Sequence, residues 1–151
     1  MSWTDGYLLR HFPLDPQLRS LVLAQDWKAL DAVMAGLVAP GGALFAELSR
    51  HATFTRIEHM LALRDAGHPD EEDGIWHDDG SRVLAFSLSL NYFGLPSGGE
   101  LEVRPKGGEA RALGPFEPGK LIVFRTGQDG FEHRTRRVTA GLRLVCAGWC
   151  S

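Results

Sequence analysis

The sequence predicts a mostly β domain with N-terminal helices, a β-sandwich or jelly roll whose larger sheet the helices cover. Glycine usage divides the chain: only Gly6, Gly36, Gly41 and Gly42, four of eighteen, precede residue 67, so turn-forming residues crowd into the later part. Near residue 55 the spacing of apolar residues changes from helical to alternating. About seven or eight short apolar segments then follow, separated by glycine- or proline-containing turns.

A chain of 151 residues with 44% hydrophobic content has the size and composition of one domain, 1–151, read as helical support over 1–52 and a jelly-roll core over 53–151. Asp15-Pro16 marks a helix start, with a side-chain acceptor at the cap and proline in the first turn. Leu18, Leu21, Val22, Trp27, Leu30, Val33, Met34 and Leu37 keep helical spacing with a break near Asp26. Pro40-Gly41-Gly42 stops this run, and Ala43 to His51 forms a further short helix.

Thr55 to Arg64 alternates as a strand does, with Ile57, His59, Leu61 and Leu63 on one side. Val83 to Asn91 carries Leu84, Phe86, Leu88 and Leu90 on one face and the smaller Ala85, Ser87, Ser89 and Asn91 on the other. The aliphatic face suits packing against helices; the small face suits either the lining of a cavity or contact with solvent. Further strands are expected at Glu100–Arg104, Ala110–Leu113, Lys120–Arg125, His133–Thr139 and Leu142–Cys150.

Sixteen basic against nineteen acidic residues, net −3, exclude nucleic-acid binding through a global positive field. No apolar run approaches the roughly 18 residues of a membrane span. The opening MSWTDGYLLRHF lacks the order of a secretory signal, so the expectation is a soluble cytoplasmic protein with neither nucleic-acid nor membrane partners. Its oligomeric state is not encoded in any pattern of the chain. Cys146 and Cys150, four apart on an expected strand, lie about 13 Å apart at the ~3.3 Å rise of a strand, too far for a disulfide. They read as buried thiols or as a Cys-x-x-x-Cys metal pair.

His77 and Asp79 project to the same side of an extended segment. With a third ligand from a neighbouring strand they would form a two-His-one-carboxylate face, which leaves metal positions open. His133, at the start of an expected strand, is the candidate. Arg143 shares strand parity with Val145, Ala147 and Trp149, so it faces inward among apolar residues and pairs with a bound carboxylate, with a protein carboxylate, or turns to water.

The order His77-x-Asp79, Arg82 to Asn91, Gly98-Gly99-Glu100-Leu101, Pro118 to Phe124, His133 and Arg143 resembles the iron(II)/2-oxoglutarate-dependent dioxygenases of the prolyl-hydroxylase type, over about Leu63 to Cys150. The resemblance implies a double-stranded β-helix, with Fe(II) held by His77, Asp79 and His133 and the distal carboxylate of 2-oxoglutarate by Arg143. It also implies a co-substrate role for Ser89, with Asn91 bracing the same wall or binding the substrate. Arg64 stands where relatives usually have a tyrosine and Val145 where they often have a hydroxyl residue, so the expectation is either a co-substrate pocket built differently or one in which Arg64 also holds 2-oxoglutarate.

The implied reaction consumes O2 and 2-oxoglutarate, releases succinate and CO2 and hydroxylates an unactivated C–H bond, with ascorbate as a possible accessory. The substrate would be a small molecule, a peptide or a protein. Seven acids and no Lys or Arg between Asp65 and Asp79 read as a solvated loop or a lid for a cationic substrate. Arg137, sharing parity with His133, is expected to meet a substrate carboxylate or to lie on a charged edge. The alternative to an enzyme is a non-catalytic cupin-like module that binds a metal or a ligand.

Overall fold

The computed structural model describes residues 3–151. The larger sheet starts with β1 (Tyr7–His11). Three helices follow: α1 (Pro16–Leu23), α2 (Trp27–Val38) and α3 (Ala43–Ser49). The Asp15 carboxylate accepts the Gln17 N–H at 2.8 Å and caps α1, with Pro16 in its first turn. The break expected near Asp26 is a second cap: Asp26 accepts from the Ala29 N–H at 3.2 Å and opens α2.

The strands that follow are β2 (Ile57–Asp65), β3 (Leu84–Ser89), β4 (Ser97–Gly98), β5 (Leu101–Pro105) and β6 (Arg111–Leu113). The last four are β7 (Lys120–Phe124), β8 (Phe131–Thr135), β9 (Val138–Ala140) and β10 (Leu142–Cys150). They form an antiparallel five-stranded sheet in the order β1-β7-β3-β10-β2, a three-stranded sheet β6-β5-β8 and a two-stranded pair β4-β9.

Alternation along the strands sorts the side chains into two cores. Leu84, Phe86, Leu88 and Leu90 pack with Leu18, Val22, Leu30, Met34, Leu44 and Leu48, which places the helices on one face of the large sheet. Ala85, Ile122 and Phe124 on its other face pack with Leu101, Val103, Leu113 and Phe131 of the three-stranded sheet. The order is helices, large sheet, small sheet, the layering of a jelly roll. No helix among the described residues is long and apolar enough to cross a membrane.

Two expectations are corrected. Residues 1–52 are not purely helical, because β1 pairs with β7 at the edge of the large sheet. Its partner lies more than a hundred residues away, so nothing local reveals the pairing. The strand expected over His133–Thr139 is broken: β8 pairs with β5, Arg136 N–H bonds to the Glu100 carbonyl at 2.8 Å, and β9 pairs with β4 instead.

Candidate metal centre

The structure brings His77, Asp79 and His133 together, with one possible ligand atom of each within 4.8 Å of the others. Their convergence begins in the backbone. Residue 77 makes an isolated antiparallel bridge with residue 133 of β8, which sets the two imidazoles side by side with ring centres 4.3 Å apart. His77 Nδ1 lies 3.0 Å from the Ile75 carbonyl oxygen. A carbonyl only accepts, so Nδ1 carries a proton, and Nε2 is the nitrogen left to face a metal.

Asp79 is half-buried beside them, and its Oδ2 stands 3.4 Å from His133 Nε2. Burial raises the Asp79 carboxyl above its usual range, opposed by a hydrogen bond from the Trp149 side chain and by the nearby His77 and Arg82. Burial foremost, and then the neighbouring His77, pulls His133 down to about 3, so its imidazole is neutral near pH 7. Both Asp79 Oδ2 and His133 Nδ1 are buried without a hydrogen-bond partner. A carboxylate oxygen left without a donor, facing the neutral His133 imidazole, fits a cation between them. Two imidazoles and one carboxylate on a single face are the donor set of non-haem Fe(II).

This face opens onto a cavity of about 140 Å³ between the two sheets. Its walls are Ala62 and Arg64 of β2, Ser87 of β3, Phe124 of β7 and Arg143, Val145, Ala147 and Trp149 of β10, opposite Leu101, His133 and Thr135 of the small sheet. The small face of β3 therefore lines the cavity and does not meet solvent. Arg143 is only 5% exposed and has no acidic side chain in ion-pair reach among the described residues. Burial and the neighbouring Arg64 pull its guanidinium down to about 10, so it remains a cation at neutral pH. Its stem has room because residue 99 is glycine: a Cβ there, at φ +77°, would stand 2.8 Å from Arg143 Cδ.

The other expected residues take different places. Arg64 lines the cavity, but its guanidinium is already engaged, 2.7 Å from Asp73 and 3.6 Å from Asp70. Ser89 lies beside a narrower pocket of about 20 Å³ that continues past Arg143, and its hydroxyl donates to the Phe116 carbonyl. Asn91 is 4% exposed and fully used: it accepts from Leu144 N–H at 2.8 Å and donates to Ser89 Oγ at 3.0 Å and Phe116 O at 2.8 Å. Asn91 thus braces the wall and has no group left for a substrate. Arg137 is exposed and absent from the cavity, because the break after Thr135 cancels its parity with His133.

Two features lay outside the sequence reading, while Trp76 packs as its parity opposite to His77 leads one to expect. Trp149, read as core, lines the cavity beside Asp79 and draws its carboxyl down against the effect of burial; its shared parity with Arg143 was the available signal. Asp73, in the acidic loop read as solvated or as a lid, buries its side chain against Arg64. Trp76 is packed between two guanidiniums of the small sheet, 3.8 Å from Arg104 and 4.4 Å from Arg134.

No protein-family model matches the sequence, and no curated protein matches it. Solved structures do match in fold. A Pseudomonas putida prolyl-4-hydroxylase, 22% identical, aligns with a TM-score of 0.65 over 97% of this chain and 88% of its own. A Trichoplax adhaerens prolyl hydroxylase, solved with a hypoxia-inducible-factor oxygen-degradation-domain peptide, is 16% identical with a TM-score of 0.65 over 97% and 84%. An iron and α-ketoglutarate-dependent endoperoxidase, NvfI, is 10% identical with a TM-score of 0.62 over 99% and 79%. The chain thus has the fold of the prolyl-hydroxylase-like 2-oxoglutarate oxygenases, a fold that serves more than one reaction.

Proposed function

We propose that this chain is an Fe(II)- and 2-oxoglutarate-dependent dioxygenase that hydroxylates an unactivated C–H bond of an amino acid, peptide or protein residue. One observation carries the reading: an open His77–Asp79–His133 face and a buried arginine, Arg143, without an acidic partner in ion-pair reach among the described residues, share one cavity. His77, Asp79 and His133 would hold the ion. When bound, it supplies oxygen activation, in which one atom of O2 enters the substrate C–H bond and the other enters succinate as CO2 leaves.

The protein's own part is positioning and exclusion. Arg143 receives the distal carboxylate of 2-oxoglutarate through its two-pronged guanidinium. The Ile75 carbonyl fixes the His77 tautomer, and the Trp149 side chain holds Asp79 in place. Phe124, Leu101 and Val145 keep the inner end apolar and restrict water there. A cavity of about 140 Å³ is small beside the roughly 300–1,000 Å³ of sites for drug-sized ligands, which favours a small co-substrate inside and a substrate residue reaching in from the mouth.

The test is an anaerobic titration with Fe(II) and 2-oxoglutarate. The expected result is a weak visible charge-transfer band that His77→Ala abolishes. A wild-type protein without the band overturns the proposal.

A further inference from the structure

Arg64 and Arg143 are opposite each other in the register of β2 and β10, and both line the cavity. Directly opposed residues of an antiparallel pair hold their Cβ atoms about 5 Å apart. The two guanidiniums therefore sit on one wall, yet they differ in partners. Arg143 has no acidic neighbour in ion-pair reach among the described residues. Arg64 has Asp73 at 2.7 Å, and the Asp73 side chain is 1% exposed. Asp70 is farther, at 3.6 Å, and its side chain is 44% exposed, so water screens it. The Asp73 carboxylate is fixed in turn, because its Oδ2 accepts the Asp70 N–H at 3.0 Å.

We infer that Asp73 is a specificity-determining positioning residue: by occupying Arg64 it leaves Arg143 as the single anion receptor of the cavity wall. Two arginines stand on this wall, and Asp73, buried against Arg64 though not itself in the lining, offsets one of them. Asp70 and Glu72 also line the cavity but are exposed to water, which screens them, so about one net charge is offered to one carboxylate. Without Asp73, Arg64 would join Arg143 and the same wall would bind anions more tightly and less selectively. This inference rests on the co-substrate reading above and specifies how charge is apportioned within it.

The experiment measures 2-oxoglutarate binding by calorimetry to Mn(II)-loaded protein, for wild type, Asp73→Asn, the double variant Arg64→Gln/Asp73→Asn, and Arg143→Gln. Asp73→Asn is expected to bind about tenfold more tightly, because a buried charge adjoining the anion is removed. The double variant is expected within about twofold of wild type, since Arg64 is withheld there already. A purely structural role for Asp73 would weaken binding and never strengthen it.

Unchanged or weaker binding by Asp73→Asn, with wild type binding and Arg143→Gln not binding, overturns this inference and leaves the co-substrate reading intact. A double variant at least about tenfold weaker than wild type shows Arg64 to be a direct ligand and also overturns it. If Asp73→Asn does not fold, the double variant, which lacks both charges, decides by the same criterion. Failure of wild type to bind 2-oxoglutarate, or indifference to Arg143→Gln, overturns the co-substrate reading. A parallel titration of metal-free protein with inorganic sulfate then judges the inference separately: tighter sulfate binding by Asp73→Asn supports it, and equal binding overturns it.

Discussion

His77 and His133 exchange both of their backbone hydrogen bonds, His77 N–H to the His133 carbonyl at 3.0 Å and His133 N–H to the His77 carbonyl at 2.8 Å. Residues paired in this way project their side chains to the same face of the ladder. Two of the three proposed ligands are therefore aligned by main-chain geometry before any ion arrives. Asp79, two residues on, lies outside this bridge, and the side chain beside it that favours its carboxylate is Trp149.

Replacing Trp149 by Phe keeps the ring and removes the donor. Metal affinity is expected to fall about 10–100-fold, as for other groups that orient a ligand, with little loss of thermal stability. His77→Ala is expected to lose Mn(II) and Fe(II) binding far more severely. Equilibrium titration of each variant against wild type measures both.

Arg143→Met should have two opposite effects. Loss of the buried guanidinium is expected to weaken 2-oxoglutarate binding by about 2–5 kcal/mol. The ligand-free protein is expected to gain about 1–3 kcal/mol of stability, because a buried cation without a partner is replaced by an apolar chain of similar length. Calorimetry and urea denaturation read the two effects separately.

Acid should destabilise the metal-free protein through His133. The folded state pulls His133 down to about 3 against an ordinary value of 6.5, so between those values the unfolded chain binds a proton that the folded one refuses. Stability is full above about pH 6.5 and falls as pH drops toward about 3, by several kcal/mol for a shift of this size. Asp79, raised by burial, takes up a proton when folded and opposes this trend at the acid end. His133→Asn is expected to flatten the slope of urea midpoint against pH between about 6.5 and 4.

Cys146 and Cys150 are free and buried, and burial pushes both thiols up to about 12. Neither carries appreciable thiolate near pH 8, so both are expected to resist a thiol-specific chromogenic reagent until the protein is denatured, when two equivalents react.

Much of this was legible because strand parity is a local rule. Leu84 to Leu90 showed their helix-facing side from alternation alone, while Ser87 and Arg143 were grouped on the other face with cavity and solvent both open, a choice the structure makes for the cavity. What remained hidden depended on where a connection travels. Asp73 falls within a loop without periodicity, and only its path back over β2 brings it to Arg64. Of the two readings of Arg137, the cavity one fails for the complementary reason: alternation does not carry through Arg136, where the chain leaves one sheet for another, and the exposed one holds. β1 went unseen because its five residues have no nearby partner to mark them as a strand.

The indole of Trp76 adjoins His77 in the chain and rests between Arg104 and Arg134, whose guanidiniums are held by Glu132 at 2.7 Å and Glu102 at 2.8 Å. A ladder of alternating charges on the outside of the small sheet thus clamps the residue next to a proposed iron ligand. Ionic strength, which weakens such partly exposed ladders, becomes an external control on how firmly the inner coordination cup is kept in shape.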